Sequence, residues 1–220
     1  MNVDTLPLID PAEFVSVLTP LLARNDLCAL VDSVQKRYTP TQIASLLASE
    51  DVDARKVAAL CLAMVGKKCA LERLQKALAD RDPCVHQMAE HAMWSIWFRL
   101  GTEEANCHLM RGAMDLEKRD FGGACEHFCR AIEIDPDFAE PYNQRAIAHY
   151  LQEQFEDSIR DCKRAIRRMP CHFGAWAGMG HCYAHLDNVS EAIRCYAQAL
   201  AINPGLEGIR EALRELRCSS

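Results

Sequence analysis

Residues 173–204 read FGAWAGMGHCYAHLDNVSEAIRCYAQALAINP, which is the clearest repeat unit in this chain. The closing proline recurs every 34 residues, as Pro136, Pro170 and Pro204. Because proline lacks a backbone N–H and restricts the residue before it, each of them ends a helix at the same place in its unit. Counting back from the three prolines gives units 105–138, 139–172 and 173–206.

Small residues recur at matching positions of the three units. They are Gly112, Ala146 and Gly180; Ala124, Ser158 and Ala192; and Ala131, Ala165 and Ala199. Larger side chains share two further positions, namely Phe128, Cys162 and Tyr196, and His108, Tyr142 and Trp176. Two antiparallel helices approach closely only where small residues replace bulk at the crossing. The pattern therefore predicts one helix pair per unit, with apolar faces that only stacked neighbours can bury.

These units resemble tetratricopeptide repeats, and the quoted unit follows that family's pattern almost position by position. The first unit departs from it, because His108 stands where the family usually has tryptophan. Gly122 and Gly123 fall in the opening turn of its second helix, where we expect fraying, since glycine costs about 1 kcal/mol relative to alanine. After Pro204, apolar residues at helical spacing predict a capping helix over 206–217.

The first hundred residues carry a weaker repeat, with a spacing of 31 residues. It pairs Leu47 with Leu78, Asp51 with Asp82, and Ala58 with Ala89. Two such units resemble HEAT-like repeats, although Arg55 has His86 as its counterpart. Before them, a capping residue followed by proline predicts helices over about 11–22 and 40–48, with another over about 25–37.

The predicted fold class is therefore all-α, an α-solenoid of antiparallel helix pairs, because no segment shows the period-2 alternation of a strand. We expect a HEAT-like region over 1–100 and a tetratricopeptide domain over 101–220. Trp94, Trp97 and Phe98 lie just before the junction, and no Pro/Gly/Ser-rich linker follows. They predict a helix buried between two arrays that form one continuous stack.

The composition excludes several classes of protein. The formal net charge is -6, and basic residues are not clustered as in nucleic-acid-binding domains. No stretch approaches the roughly 20 apolar residues of a membrane span, and the first residues lack an export signal. The 12 cysteines are spread over helical stretches, which indicates reduced thiols. We expect a cytoplasmic protein that binds neither nucleic acid nor a membrane.

Candidate chemistry is sparse. Cys125 and Cys129, and likewise His181 and His185, place two possible zinc ligands one helical turn apart, but two ligands do not make a site. Cys171-His172 is the best available pairing for a nucleophile, without a second acid–base group or an oxyanion site. We therefore predict no catalytic residue, no metal and no cofactor, and that the chain is not an enzyme.

A basic stripe follows the second helix of the middle unit. It comprises Arg160, Lys163, Arg164, Arg167 and Arg168. Without interleaved aromatic residues it favours a solvated outer face, since cations near a helix C-terminus also suit the helix dipole. The alternative is a docking site for an acidic partner.

The resemblance to tetratricopeptide repeats implies a concave groove lined by the first helix of each unit. Matching family positions are Asn106, Leu109, Met110, Ala113 and Leu116; Asn143, Gln144, Ile147 and Tyr150; and Ala177, His181, Ala184 and His185. Members that hold the C-terminal carboxylate of a chaperone use Lys, Arg and Asn at positions that here hold Leu109, Ala113, Gln144, Gly174 and Gly178. That clamp is absent, so the resemblance implies an apolar, amide-containing ligand.

Three function classes remain open. We expect a protein-binding scaffold or adaptor that holds a peptide or helix of a partner protein, recognised through Asn143 and Gln144 and buried against Leu109, Ile147 and Tyr150. The alternatives are a self-associating structural protein, in which a second copy covers these apolar side chains, or an accessory subunit of an enzyme complex.

Overall fold

A computed structural model describes residues 9–218 of the chain, so residues 1–8 and 219–220 of the predicted domains lie outside the described part. Throughout this range the regular structure is helical, and no strand is present. The predicted all-α fold class is confirmed. The chain divides into two compact units between Ile96 and Trp97, whereas the sequence placed the boundary after Leu100.

The first unit contains most of six α-helices. They are α1 (Pro11–Ala23), α2 (Leu27–Arg37), α3 (Pro40–Ser45), α4 (Val52–Val65), α5 (Leu71–Ala77) and α6 (Pro83–Trp97), the last of which reaches the boundary between the units. Short 3₁₀ turns follow α3 and precede α5. The helix expected over about 40–48 thus changes to a 3₁₀ turn at Leu46, a common ending for an α-helix.

Local capping explains the helix starts in this unit. Asp51 accepts hydrogen bonds from the N–H groups of Asp53 and Ala54 at the start of α4. Asp82, its counterpart in the 31-residue repeat, does the same at the start of α6. The repeat therefore aligns two helix N-caps, each satisfying backbone donors that have no partner within the helix. The likeness to HEAT-like repeats stays a prediction.

The second unit contains seven helices in sequence after Trp97. They are α7 (Glu103–Glu117), α8 (Phe121–Ile134), α9 (Ala139–Leu151), α10 (Phe155–Arg168), α11 (Phe173–His185), α12 (Val189–Ile202) and α13 (Glu207–Cys218). Each helix packs on the next one along the chain, and α9 also contacts α7 and α11. Ile209 and Leu213 of α13 pack against Tyr196 of α12 and cover the last pair.

Within the first and third helix pairs, a glycine of the first helix lies against an aromatic ring of the second. A Cβ atom on Gly112 would lie 2.5 Å from the Phe128 ring, and one on Gly180 would lie 2.5 Å from the Tyr196 ring. In the middle pair, Ala146 and Cys162 belong to one core cluster. A missing side chain thus faces an aromatic ring in the outer units, and two small side chains meet in the middle one.

The turns within the pairs repeat as closely as the helices do. Arg119, Glu153 and Asp187 all have positive φ angles, of 63°, 60° and 54°. Left-handed backbone is unfavourable for any residue with a Cβ, so each turn needs support from the packed helices around it. At the next position of the first unit, Asp120 accepts a hydrogen bond from the Gly123 N–H, which caps α8 at the glycine pair expected to fray.

Replacing Gly180 by alanine tests the close approach. We expect Gly180→Ala to lower the free energy of unfolding by roughly 1–3 kcal/mol, because the added methyl group must displace the buried Tyr196 ring. Gly208→Ala in α13 is the matched control, since no atom lies within 4 Å of its added Cβ. Urea unfolding of both variants checks this. Equal stability of Gly180→Ala and the parent would contradict the packing argument.

Candidate functional site

The first helices α7, α9 and α11 form the candidate site and are called here the first-helix wall. The structure places the predicted groove residues of this wall at three depths. Met110, Ile147 and His185 are exposed, and Asn106, Ala113, Tyr150 and His181 are half-buried. Leu109, Asn143 and Gln144 are buried. Most of the predicted groove residues are therefore accessible to solvent, but three of them are buried in the protein interior.

Leu109 differs from its expected role. Its side chain is fully buried in a core cluster with Ala105, Ala124 and Phe128. The residue lies where α7 faces α8, so helix pairing covers it and no partner can reach it. The sequence prediction that a ligand is buried against Leu109 is corrected accordingly, and the exposed apolar residue of this turn is Met110.

A buried carboxylate explains why Asn143 and Gln144 also lie inside. Asn143 Nδ2 and Gln144 Nε2 donate to Glu140 Oε1 at 3.2 and 2.7 Å. His172 Nε2 lies 2.8 Å from Glu140 Oε2. A buried charge is stable only when it is hydrogen-bonded, and these three groups surround it. The two amide groups that were predicted to recognise a ligand therefore donate to Glu140 within the protein. That part of the sequence prediction is corrected.

His172 joins this carboxylate to the rest of the unit. Its Nδ1 accepts a hydrogen bond from the Ala175 N–H at the start of α11, so the ring proton is assigned to Nε2, which donates to Glu140. The ring also stacks on Trp97, with centroids 4.2 Å apart. Both ring nitrogens are engaged, so His172 is not placed to act as a base for Cys171. Sequence reasoning missed Glu140, whose partner lies 32 residues away.

The basic stripe is largely neutralised or packed by its neighbours. Arg160 pairs with Asp157, and Arg164 pairs with Asp161 at 2.9 Å. Arg168 lies 4.2 Å from the Tyr142 ring centroid. These contacts favour the predicted solvated outer face over an acidic docking site. Asp161 also receives two hydrogen bonds from Arg145 of α9, at 2.6 and 2.8 Å, which tie α10 to the wall.

A pocket opens between α9, α10 and α11, with a volume of about 140 Å³. It gathers four predicted site residues, namely Asn143, Ile147, Tyr150 and His181. The rest of its lining is Ala146, Ser158, Cys162, Gly174 and Gly178. No Asp, Glu, Lys or Arg side chain lines it. The pocket, called here the α9–α11 pocket, has room for one ligand group on this wall.

Histidine and aromatic side chains form the rim of the pocket. The Tyr150 hydroxyl lies 2.9 Å from His185 Nε2, and the His185 ring stacks on Phe155. The Tyr196 hydroxyl lies 2.8 Å from His181 Nδ1. Burial raises the pKa of Tyr196 to about 12, so this hydroxyl keeps its proton and can donate it. Burial, and then the neighbouring His185, lower the pKa of His181.

These contacts favour a binding surface over a metal centre. His181 and His185, considered as zinc ligands from their spacing, each direct one ring nitrogen to a tyrosine hydroxyl. Over residues 9–218 no three His, Cys, Asp or Glu side chains are grouped as a metal ion requires. Over the same residues, no helix has the length and apolar character needed to span a membrane.

The second unit is thus an α-solenoid of helix pairs with a neutral pocket on its first-helix wall. The tetratricopeptide repeat family profile matches residues 174–206. Among solved structures, the first TPR of Spaghetti, bound to the HSP90 peptide SRMEEVD, is similar with a TM-score of 0.52 and 19% identity, covering 53% of this chain and 93% of that one. The Arabidopsis OM64 TPR domain has a TM-score of 0.53 and 21% identity, covering 54% and 98%. Residues 174–206 thus carry a tetratricopeptide repeat, and the second unit has the fold of tetratricopeptide repeat domains.

Curated relatives agree with this assignment but differ in length. A TPR repeat-containing protein of Rhizobium etli is 23% identical over 137 residues, which cover 62% of this chain and 67% of that protein. A tetratricopeptide repeat-containing protein of Caenorhabditis elegans is 28% identical over 81 residues, which cover 36% of this chain and only 10% of that protein. The shared part is thus a repeat region that occurs in proteins of different sizes.

The lowered pKa of His181 predicts a pH-dependent stability. As the pH falls below the ordinary value of 6.5, the unfolded chain takes up a proton at this residue before the folded protein does. His181 therefore destabilises the fold between that value and its own lowered pKa, and has a constant effect above it. We expect the stability advantage of the parent over His181→Asn to shrink between about pH 7.5 and pH 5.5 in urea titrations. Parallel curves for the two proteins would count against it.

Glu140→Gln tests the buried carboxylate. A glutamine amide would direct N–H groups at a donor, and His172 cannot accept at Nε2 while its Nδ1 accepts from Ala175. We expect a loss of about 1–3 kcal/mol in the free energy of unfolding. Glu133→Gln, which removes the charge from an exposed pair with Arg130, should change it by less than about 0.5 kcal/mol. Thermal unfolding compares the two, and equal effects would refute the role of Glu140.

Proposed function

We propose that this protein is a non-catalytic adaptor whose first-helix wall holds a peptide or helix of a partner protein. One observation carries the proposal: large apolar side chains stand exposed on or directly after the first helices. They are Met110, Met114, Ile147, Leu151 and Leu186, between 37% and 54% exposed. Exposed large apolar side chains on one set of helices are typical of a protein-binding site. The similar fold of Spaghetti, solved with a bound peptide, supports the same use of this surface.

The charge of the wall argues for an uncharged ligand segment. Positions where chaperone-tail binders of this family carry cations or amides hold Leu109, Ala113, Gln144, Gly174 and Gly178 here. Gln144 is the polar residue among them, and its amide donates to Glu140. The peptide bound to Spaghetti, SRMEEVD, is acidic near its end. A carboxylate in the α9–α11 pocket would lose hydration without gaining a cation, because no Lys or Arg lines it, so we propose a partner segment of apolar and amide character.

Self-association is the second candidate, because a second copy could cover the same exposed side chains. It differs from the adaptor function in one measurable property, the mass of the purified protein in solution. A monomer by light scattering supports the adaptor. An oligomer that dissociates when Met110 and Ile147 are replaced supports self-association.

Replacing Met110 and Ile147 together by serine tests the adaptor function. Both side chains are exposed, so the fold should persist while the wall loses apolar contact area. We expect at least a tenfold loss of the partners that crosslinking and mass spectrometry identify with the parent protein in cells, because tenfold corresponds to about 1.4 kcal/mol. Leu27→Ser is the matched control, since Leu27 is exposed to 54% in the first unit.

Unchanged recovery of every partner by the double variant would refute the wall as the binding surface. Equal loss with Leu27→Ser would do so as well, because it would show that any exposed apolar side chain has the same effect. Circular dichroism of both variants confirms that the helices are intact.

A further inference from the structure

Gly178 has no packing role of the kind that explains Gly180. The two residues lie in α11, yet a Cβ atom on Gly180 would lie 2.5 Å from Tyr196, whereas one on Gly178 would lie 3.7 Å from Cys162 Sγ. The second distance is an ordinary van der Waals contact. Glycine inside a helix costs about 1 kcal/mol relative to alanine. Gly178 lines the α9–α11 pocket. Because it has no side chain, it leaves room there for a ligand group and does not serve a close contact between helices.

From this geometry we propose that the α9–α11 pocket receives one uncharged apolar side chain of the partner, of the leucine or phenylalanine class, while His181 Nε2–H donates to a carbonyl beside it. The inference rests on the proposed adaptor function and names the ligand group that this function requires. The pocket is then the part of the first-helix wall that discriminates between partner segments.

The size of the pocket fits one such side chain. Its volume is about 140 Å³. An apolar cavity of roughly 150 Å³ accommodates a benzene molecule, so one aromatic ring or one branched aliphatic group fills this space. A tryptophan side chain is larger, and a small side chain would leave part of the space empty.

The floor of the pocket offers nothing to a charged group. Burial raises the pKa of the Cys162 thiol, which therefore stays neutral. The Ser158 hydroxyl donates its proton to the Ala146 carbonyl at 2.8 Å and accepts from Cys182 Sγ at 3.1 Å, so it has no donor left for a carboxylate. A carboxylate or ammonium entering this floor would lose its hydration without a counter-ion. The pocket selects against charge for this reason.

His181 supplies one directed polar contact at the rim. With the Tyr196 hydroxyl assigned as the donor to Nδ1, the neutral imidazole carries its own proton on Nε2. His181 also lines the pocket. An N–H donor beside an apolar cavity suits a peptide segment, in which a backbone carbonyl lies next to every side chain. The contact fixes the orientation of the segment and leaves the choice of side chain to the pocket.

Three amino-acid amides test the selectivity on the full chain. They are N-acetyl-L-phenylalaninamide, N-acetyl-L-leucinamide and the α-amide of N-acetyl-L-aspartic acid, which keeps its side-chain carboxylate; each is titrated while NMR follows the Ile147 methyl and His181 ring signals. We expect the first two to bind at least tenfold more tightly than the aspartate derivative. Equal binding of all three, or no shift of these signals with any of them, would overturn the proposal.

Gly178→Leu fills the pocket from inside. The leucine Cβ fits at the distance given above, and leucine favours a helix, so we expect unchanged or higher thermal stability together with loss of binding of both apolar amides. Should this variant unfold, Gly178→Ala fills the pocket in part and must weaken binding. Gly208→Ala, in which the new methyl group meets no atom within 4 Å, is the matched control and must bind as the parent does. Parent-like binding by a folded Gly178→Leu would refute the pocket.

The proposal and the adaptor function fail in different ways. If Gly178→Leu keeps parent-like amide binding and partner recovery while the Met110/Ile147 variant loses its partners, the pocket is wrong and the adaptor function stands. If Gly178→Leu abolishes amide binding while the Met110/Ile147 variant recovers every partner, the pocket binds as proposed but the wall does not perform the adaptor function.

Discussion

The close approach of the two helices in each repeat controls the architecture of the second unit. An aromatic ring occupies the space of a missing side chain at Gly112 and Gly180, and Ala146 meets Cys162 in the middle pair. Interiors pack to nearly crystalline density, so such contacts tolerate little added volume. Because each pair is closed on one side in this way, the other side of α7, α9 and α11 is left free to form a wall.

Two buried carboxylates of this unit are paired with other side chains, and none of the charged groups involved lines the α9–α11 pocket. Glu140 is surrounded by Asn143, Gln144 and His172, and Asp161 by Arg145 and Arg164. Asp161 links α10 to α9, and Glu140 links α9 to His172 at the start of α11. The pairing stabilises the stack and engages these carboxylates within the protein. The pocket therefore has an uncharged lining, so we expect it to discriminate between ligands by their shape and by the hydration they lose.

Two neighbouring glycines show how one helix serves both stability and binding. Gly180 is required by Tyr196, whereas a Cβ atom on Gly178 would meet only Cys162 Sγ, at an ordinary van der Waals distance beside the pocket. They are two residues apart, so a helix of 3.6 residues per turn points them in different directions. One direction faces the second helix of the same pair, and the other faces the wall. The repeat framework can therefore keep its packing positions unchanged while the wall positions vary with the partner.

Much of this architecture could be predicted from residue order, because proline spacing, small-residue positions and capping residues act within one helix or turn. The prolines at 34-residue spacing, the capping of α3 at Thr39 and the closing helix α13 are of this kind. Three features could not be predicted this way. Leu109 is buried because α7 turns it towards Ala124 and Phe128 of α8. Asn143 and Gln144 donate to Glu140 of their own helix, and the stacking of consecutive repeats brings that carboxylate to His172, 32 residues away, which no local periodicity relates.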